Sequence, residues 1–184
     1  ESCLGQAVRS VQLWDAKALI PLRRFQPYGD NGIRCAKFSP DSKMILPVPS
    51  CTGDAKVFSV GNGVCLHVIS DIDSPSDFFN IAMFSPCGEF ILTASQYGRA
   101  KVWELTSSAC KCALSLEAER EYVWLLASFS WDSALVLSSA GLGADNDTSG
   151  CLKTWEVETG ECLQKFACSA EGLRLGDFSP DGAC

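Results

Sequence analysis

The chain is short of several things that chemistry needs. It has a single histidine, His67, among 184 residues. Any Ser–His–Asp or Cys–His arrangement would have to use that one side chain. His67 lies nine residues after Phe58, in a column that otherwise holds Arg23, Cys112 and Gln164, and it reads as a strand histidine. There is no Gly-Lys pair and hence no phosphate-cradling P-loop. Gly141-Leu142-Gly143 is an isolated Gly-x-Gly with no helix after it. Cys-x-x-Cys is absent; Cys110-Lys111-Cys112 puts two thiols on one strand face, but no second pair completes a zinc site. No catalytic residue, metal site or cofactor is expected, and the chain does not read as an enzyme. Bases are scarce, 15 Lys and Arg against 22 Asp and Glu, which argues against a nucleic-acid-binding surface spread over the molecule. No run of about 18 apolar residues could form a membrane-spanning helix. The first residues lack a start Met, a basic region and an apolar stretch, so no signal peptide is read and sequence is expected before residue 1.

The composition that remains is that of a folded chain. Hydrophobic residues make up 47%, enough for a core, and 15 Gly and 8 Pro with many Val, Ser, Thr and Phe favour strands and turns over helices. The 11 cysteines are an odd number, and several lie in apolar surroundings, as in Cys151-Leu152 and Cys162-Leu163. They read as buried, reduced thiols, which implies a cytoplasmic or nuclear protein.

The chain repeats itself. Phe38-Ser-Pro-Asp-Ser, Phe84-Ser-Pro-Cys-Gly, Phe129-Ser-Trp-Asp-Ser and Phe178-Ser-Pro-Asp-Gly are spaced by 46, 45 and 49 residues. A second anchor interleaves with them: Trp14-Asp15, Phe58-Ser59, Trp103-Glu104 and Trp155-Glu156. Finer columns keep step: Gly53, Gly98 and Gly150 stand five residues before the second anchor. Lys56, Lys101 and Lys153 stand two before it, and Cys65, Cys110 and Cys162 seven after. Each unit reads as four short strands. Pro at the second turn position presets φ near −65° and predicts a type I turn after the first strand. The unbroken apolar run Phe90-Ile-Leu-Thr-Ala predicts a strand covered on both faces.

The Phe-Ser-Pro-Asp-Gly turn, followed about 20 residues on by Trp-Asp/Glu at a period near 45, resembles the tryptophan–aspartate (WD) repeat family. The resemblance covers essentially the whole chain. It implies an all-β fold, a β-propeller of four-stranded antiparallel blades. About three complete blades and two partial ones are expected: residues 1–32 end a blade, 33–69, 79–116 and 123–167 form blades, and 173–184 begin the next. Propellers of this family usually have seven blades, so the segment is expected to continue beyond both ends. Two features of the family are missing. The Gly-His pair before the first strand is absent, and Thr52, Tyr97 and Ser149 stand where the family has an Asp before the turn Gly. In the family that His and Asp join a Ser/Thr and the Trp in a buried hydrogen-bond network. A network lacking two members should not be half kept, because unpaired buried polar groups are costly. Blades held by packing alone, and lower stability than is usual for the family, are therefore expected.

The resemblance also separates two sets of loops. Those entering the first strand and joining the second to the third form the usual partner face: residues 26–32, 49–54, 70–78, 96–99, 117–122, 140–150 and 168–172. They hold half of the acids and only two bases, Arg99 and Arg120, so they carry −9 and the rest of the chain +2. Such a face would steer a basic segment toward it; equally, acidic loops keep a repeat protein soluble. The candidate partner-binding residues are Asp30, Asp71, Asp73, Asp77, Tyr97, Glu117, Glu119, Glu121, Asp145 and Asp147. Asp145 to Gly150 with Glu156 also has the spacing of an EF-hand loop. The flanking glycines and the strand register of Trp155-Glu156 favour a solvated hairpin loop instead. Asn146-Asp147-Thr148 is a glycosylation sequon, relevant only to a secreted chain. The function expected is a non-catalytic scaffold that binds other proteins through basic segments, without direct nucleic-acid, membrane or small-molecule binding. The alternative is a docking or regulatory part of a larger enzyme or signalling protein.

Overall fold

Short β-branched and aromatic runs separated by Gly, Pro, Asp and Ser turns give strands and no helix among the described residues. A computed structural model of the chain describes residues 9–29, 31–50, 52–70, 78–95, 99–117, 123–141, 149–169 and 177–179. The first hairpin is β1 (Val11–Trp14) with β2 (Pro21–Phe25). Three four-stranded antiparallel meanders follow. They are β3 (Ile33–Phe38), β4 (Met44–Pro49), β5 (Asp54–Ser59) and β6 (Cys65–Ser70); β7 (Phe79–Phe84), β8 (Phe90–Ser95), β9 (Arg99–Leu105) and β10 (Cys110–Glu117); and β11 (Val123–Phe129), β12 (Leu135–Gly141), β13 (Ser149–Glu156) and β14 (Cys162–Ser169). This is the all-β class with the four-stranded sheets of a partial propeller. The chain divides into two compact units, Glu1–Phe79 and Asn80–Cys184. The strand expected at Leu173–Phe178 lies mostly outside the described residues.

The turn between the first two strands is built three times in one way. Ser42, Gly88 and Ser133 donate their N–H to the carbonyls of Ser39, Ser85 and Ser130, each at 2.9 Å, the i to i+3 bond of the expected turn. Those donors sit in the left-handed region, with φ of 60°, 81° and 64°. Glycine takes that conformation freely; the two serines adopt it at some cost. The preceding serines are buried, and their hydroxyls accept from the N–H of Met44, Phe90 and Leu135. Ser39 and Ser130 also donate to the carboxylates of Asp41 and Asp132, and Cys87 takes the aspartate's place beside Ser85. These hydroxyls hold the Asp41 and Asp132 carboxyls below the ordinary aspartate range.

The second unit has an apolar core between its two sheets. Leu92, Val102, Leu116, Phe129, Val136 and Trp155 form one buried cluster. The β8 run is buried from Ile91 to Ser95, as its unbroken apolarity predicted. Burying each large aliphatic side chain contributes roughly 1.5–3 kcal/mol. Polar bonds sit inside this core. The Trp103 indole N–H donates to Thr93 Oγ1 at 2.8 Å, and that of Trp155 to Ser138 Oγ at 2.8 Å. The expectation that a depleted network would vanish entirely is therefore wrong. The Trp and Ser/Thr members persist because they satisfy each other: one donor meets one acceptor, and neither needs the missing His or Asp.

The first unit solves the same problem differently. Strand register aligns Pro47 with Thr93 and Ser138, and Phe58 with Trp103 and Trp155. Donor and acceptor are both replaced by apolar groups. Pro47 has no N–H to give, and β4 pairs with β5 only through Met44–Ser59 and Ile45–Phe58. Into the unpaired stretch goes Tyr28. Its hydroxyl donates to the Pro47 carbonyl at 2.9 Å and accepts from the Lys56 N–H at 3.0 Å. One side chain thus bridges two strands whose own ladder is interrupted. Burial pushes the phenol's pKa up, so it remains a donor at neutral pH. Phe25 on β2 stacks obliquely on Phe58, with ring centroids 5.7 Å apart. Arg23 donates to the Gly61 carbonyl at 2.9 Å.

The hairpins joining third to fourth strands correct one column. Phe58, Trp103 and Trp155 lie opposite Cys65, Cys112 and Cys162, not Cys110. The β9–β10 connection is two residues longer, which moves Cys110 into the turn end opposite Leu105. The column shared with His67 then becomes Arg23, His67, Leu114 and Gln164. That shift explains a packing rule. A Cβ on Gly63 would meet Arg23 at 2.9 Å, and one on Gly160 would meet Leu114 at 2.9 Å. Both glycines have positive φ, 76° and 73°, so they fit the turn and leave room for the neighbouring outer strand.

Candidate functional site

The candidate loops follow or precede strands of each unit in the sequence. Asp30, Asp71, Asp73, Asp77, Tyr97, Glu119, Glu121, Asp145 and Asp147 lie outside the described residues. Glu117 closes β10 opposite Arg99, a backbone pairing that places it at the loop end of its sheet. Of the EF-hand pattern, Glu156 sits in β13, and its carboxylate accepts from Thr159 Oγ1 at 2.6 Å. Residues 142–148 of that loop are likewise outside the described set. Among the described residues, no three His, Cys, Asp or Glu side chains come together as a metal site.

What the structure does describe is a lysine at the same repeat position of each sheet: Lys56 on β5, Lys101 on β9 and Lys153 on β13. Lys101 and Lys153 are buried. Each ammonium lies over an aromatic ring: Lys56 over Tyr28 at 5.4 Å, Lys101 over Trp103 at 6.0 Å and Lys153 over Trp155 at 5.3 Å. Lys56 also donates to the Pro27 carbonyl at 2.9 Å. A ring face tolerates a cation that burial would otherwise penalise. The sequence showed these lysines as a repeat column but not their stacking. For Lys101 and Lys153 the signal was there, since residues two apart on a strand share a face; for Lys56, stacked on the distant Tyr28, it was not. In the first unit, exposed Asp54 accepts from Ser70 Oγ at 2.8 Å.

The turns at the opposite ends of the sheets differ between the two units, although the chain outside the candidate loops carries +2 in sum. In the first unit, turns 15–20, 39–43 and 59–64 balance Asp15 and Asp41 with Lys17 and Lys43. In the second, turns 85–89, 105–109, 130–134 and 156–161 hold Glu89, Asp132, Glu156, Glu158 and Glu161 and no Lys or Arg. The acidity of the chain is therefore not confined to one face.

The thiols differ from one another in environment, and the histidine is partly buried. Cys35, Cys65, Cys87, Cys110, Cys112, Cys151 and Cys162 are free thiols, and none of these seven is buried. The burial that was expected to explain their reduced state does not hold: Cys65, Cys110, Cys112 and Cys162 lie on fourth strands, Cys87 in a turn, Cys35 on β3 and Cys151 on β13. Burial, with Cys112 nearby, pushes the Cys110 thiol up to about 11. Burial also opposes ionisation of Cys87, yet hydrogen bonds from Ser133, Ser85 and the Glu89 backbone outweigh it and hold that thiol below its usual value. His67 faces Val57 across β5–β6, and burial lowers its pKa, so it is neutral at pH 7. A cleft of about 400 Å³ in the second unit is lined by Leu135, Leu137, Leu163, Phe166 and Phe178 together with Thr154, Gln164 and Asp177.

Residues 63–104 match the family model for "WD domain, G-beta repeat". No curated protein matches the chain.

Proposed function

We propose, from the premise that this chain belongs to the WD-repeat family, that it is a protein-interaction scaffold whose acidic loop face receives basic segments of partner proteins. The family supports the coarse role: its repeats generally serve as non-catalytic frames for protein binding. The observation that carries the finer reading is the charge of the loops. Half of the acids fall in about a quarter of the chain, with two bases among them. Charge concentrated at one end of a rigid sheet speeds encounter with an oppositely charged segment. A cytoplasmic or nuclear setting agrees with seven free thiols, five of them exposed.

The test is a titration of the native chain with a Lys/Arg-rich peptide at rising salt. Affinity should fall steeply as the screening length drops from about 10 Å at 0.1 M to about 3 Å at 1 M. Asp71→Asn, Asp73→Asn and Asp77→Asn together should weaken binding several-fold. An affinity that neither salt nor the triple substitution changes would refute the acidic-face reading.

A further inference from the structure

Trp131 is out of place. The other three turns of its kind have Pro40, Pro86 and Pro180 at that position. Proline there presets the turn; tryptophan does not. Yet the turn closes in the usual way, with Ser133 N–H to the Ser130 carbonyl at 2.9 Å and Leu135 N–H to Ser130 Oγ at 2.8 Å. The indole is therefore not needed for the turn, and it is 58% exposed to solvent. A large exposed aromatic with no architectural task is the kind of residue that anchors interfaces.

Its surroundings specify what it would anchor. The Cys87 N–H donates to Ser133 Oγ at 3.0 Å, so the β7–β8 turn, with exposed Pro86, lies against the Trp131 turn. The Val157 N–H donates to the Ala134 carbonyl at 2.9 Å, which brings the β13–β14 turn alongside with exposed Glu158 and Glu161. These three adjoining turns carry Trp131 and Pro86 together with Glu89, Asp132, Glu158 and Glu161, and no Lys or Arg. Asp132, the residue after Trp131, accepts from Ser130 Oγ and the Ala134 N–H, which favour its ionised form. We propose that Trp131 and Pro86 form a docking surface for an arginine-bearing segment of a partner protein. A guanidinium would stack on the indole while its charge is met by Asp132, Glu158 and Glu161. Arginine suits the site better than lysine, since its planar fork stacks on rings and pairs with carboxylates at once. This surface is separate from the acidic loop face and does not depend on it.

The experiment titrates the native chain with an acetylated twelve-residue peptide of alternating Arg and Gly, following the indole N–H resonances and the heat of binding. The Asp71/Asp73/Asp77→Asn chain should still bind, with the Trp131 indole signal shifting. Trp131→Ala should lose roughly fivefold or more of that affinity. Trp131→Pro, which restores the residue of the other turns, should lose as much while keeping the fold. Unchanged affinity in both Trp131 variants overturns the proposal. So does binding that falls only in the triple Asp variant, an outcome that leaves the loop-face reading standing. Trp131-dependent self-association without peptide binding would also overturn it, by making a second copy the occupant.

Discussion

The β3–β6 sheet and the β7–β10 sheet are the same repeat with different interiors. In the second, Trp103 and Thr93 close a buried hydrogen bond across neighbouring strands. In the first, Phe58 and Pro47 occupy those positions, and Tyr28 supplies the polar contact from a loop that precedes the sheet. The comparison shows that at this position the two sheets satisfy the interior with different residues, although Ser128 Oγ and Ser139 Oγ in the β11–β14 sheet are buried without a partner. Removing donor and acceptor together can be nearly neutral, whereas removing one strands the other. The first solution carries a further consequence: β5 depends on a side chain outside its own sheet.

Trp103→Phe should break this comparison most severely. It shrinks the ring and orphans Thr93 Oγ1, costing about 3 kcal/mol or more by urea unfolding. Adding Thr93→Val, which imitates the Pro47–Phe58 solution, should recover roughly 1–2 kcal/mol of that loss. A double variant that is strictly the sum of its parts would show that the pair is not coupled. Tyr28→Phe comes next, at about 1–2 kcal/mol, with amide exchange rising in β5 and β6 before other strands. Uniform exchange across both sheets would argue against the bridging role. Ser130→Ala should cost about 1 kcal/mol, because the Leu135 N–H loses its acceptor.

The smallest effect concerns acid. The folded chain holds the Asp41 and Asp132 carboxyls below their ordinary value of 3.8. A lowered folded pKa means that the ionised group favours folding. That contribution is complete above the unfolded value and is lost as pH falls through the lower folded one. Both groups are exposed, so Asp41→Asn with Asp132→Asn should flatten the acid limb of a stability–pH curve below pH 4 only slightly. A change near neutrality would point to other groups.

Much of this was legible beforehand. Two anchors with one period gave the four-stranded units, and the Phe-Ser-Pro-Asp turn gave its own closing bond. The two-residue insertion in the β9–β10 hairpin was not legible, because Cys110 and Cys112 both fit a cysteine column until pairing chose between them. Nor was the bridge at Tyr28, although a proline in the column of a central strand signals an interrupted ladder. Cysteine burial was misjudged because outer strands alternate apolar residues toward solvent as well as toward a core: Leu66 and Leu163, next to Cys65 and Cys162, are both about half exposed. The acidic residues at the turn ends escaped notice because counting loops on one face says nothing of what gathers at the other.

The account rests on one claim: these repeats are a frame, and their charged ends bind basic segments. Residue-resolved amide spectra of the native chain, recorded while a Lys/Arg-rich peptide is titrated in, test it most directly. The account predicts saturable shifts confined to loops such as 70–78 and 117–122 and to the turn around Trp131, fading as salt rises. Shifts spread evenly over the strands, or none at peptide concentrations near a millimolar, would contradict it.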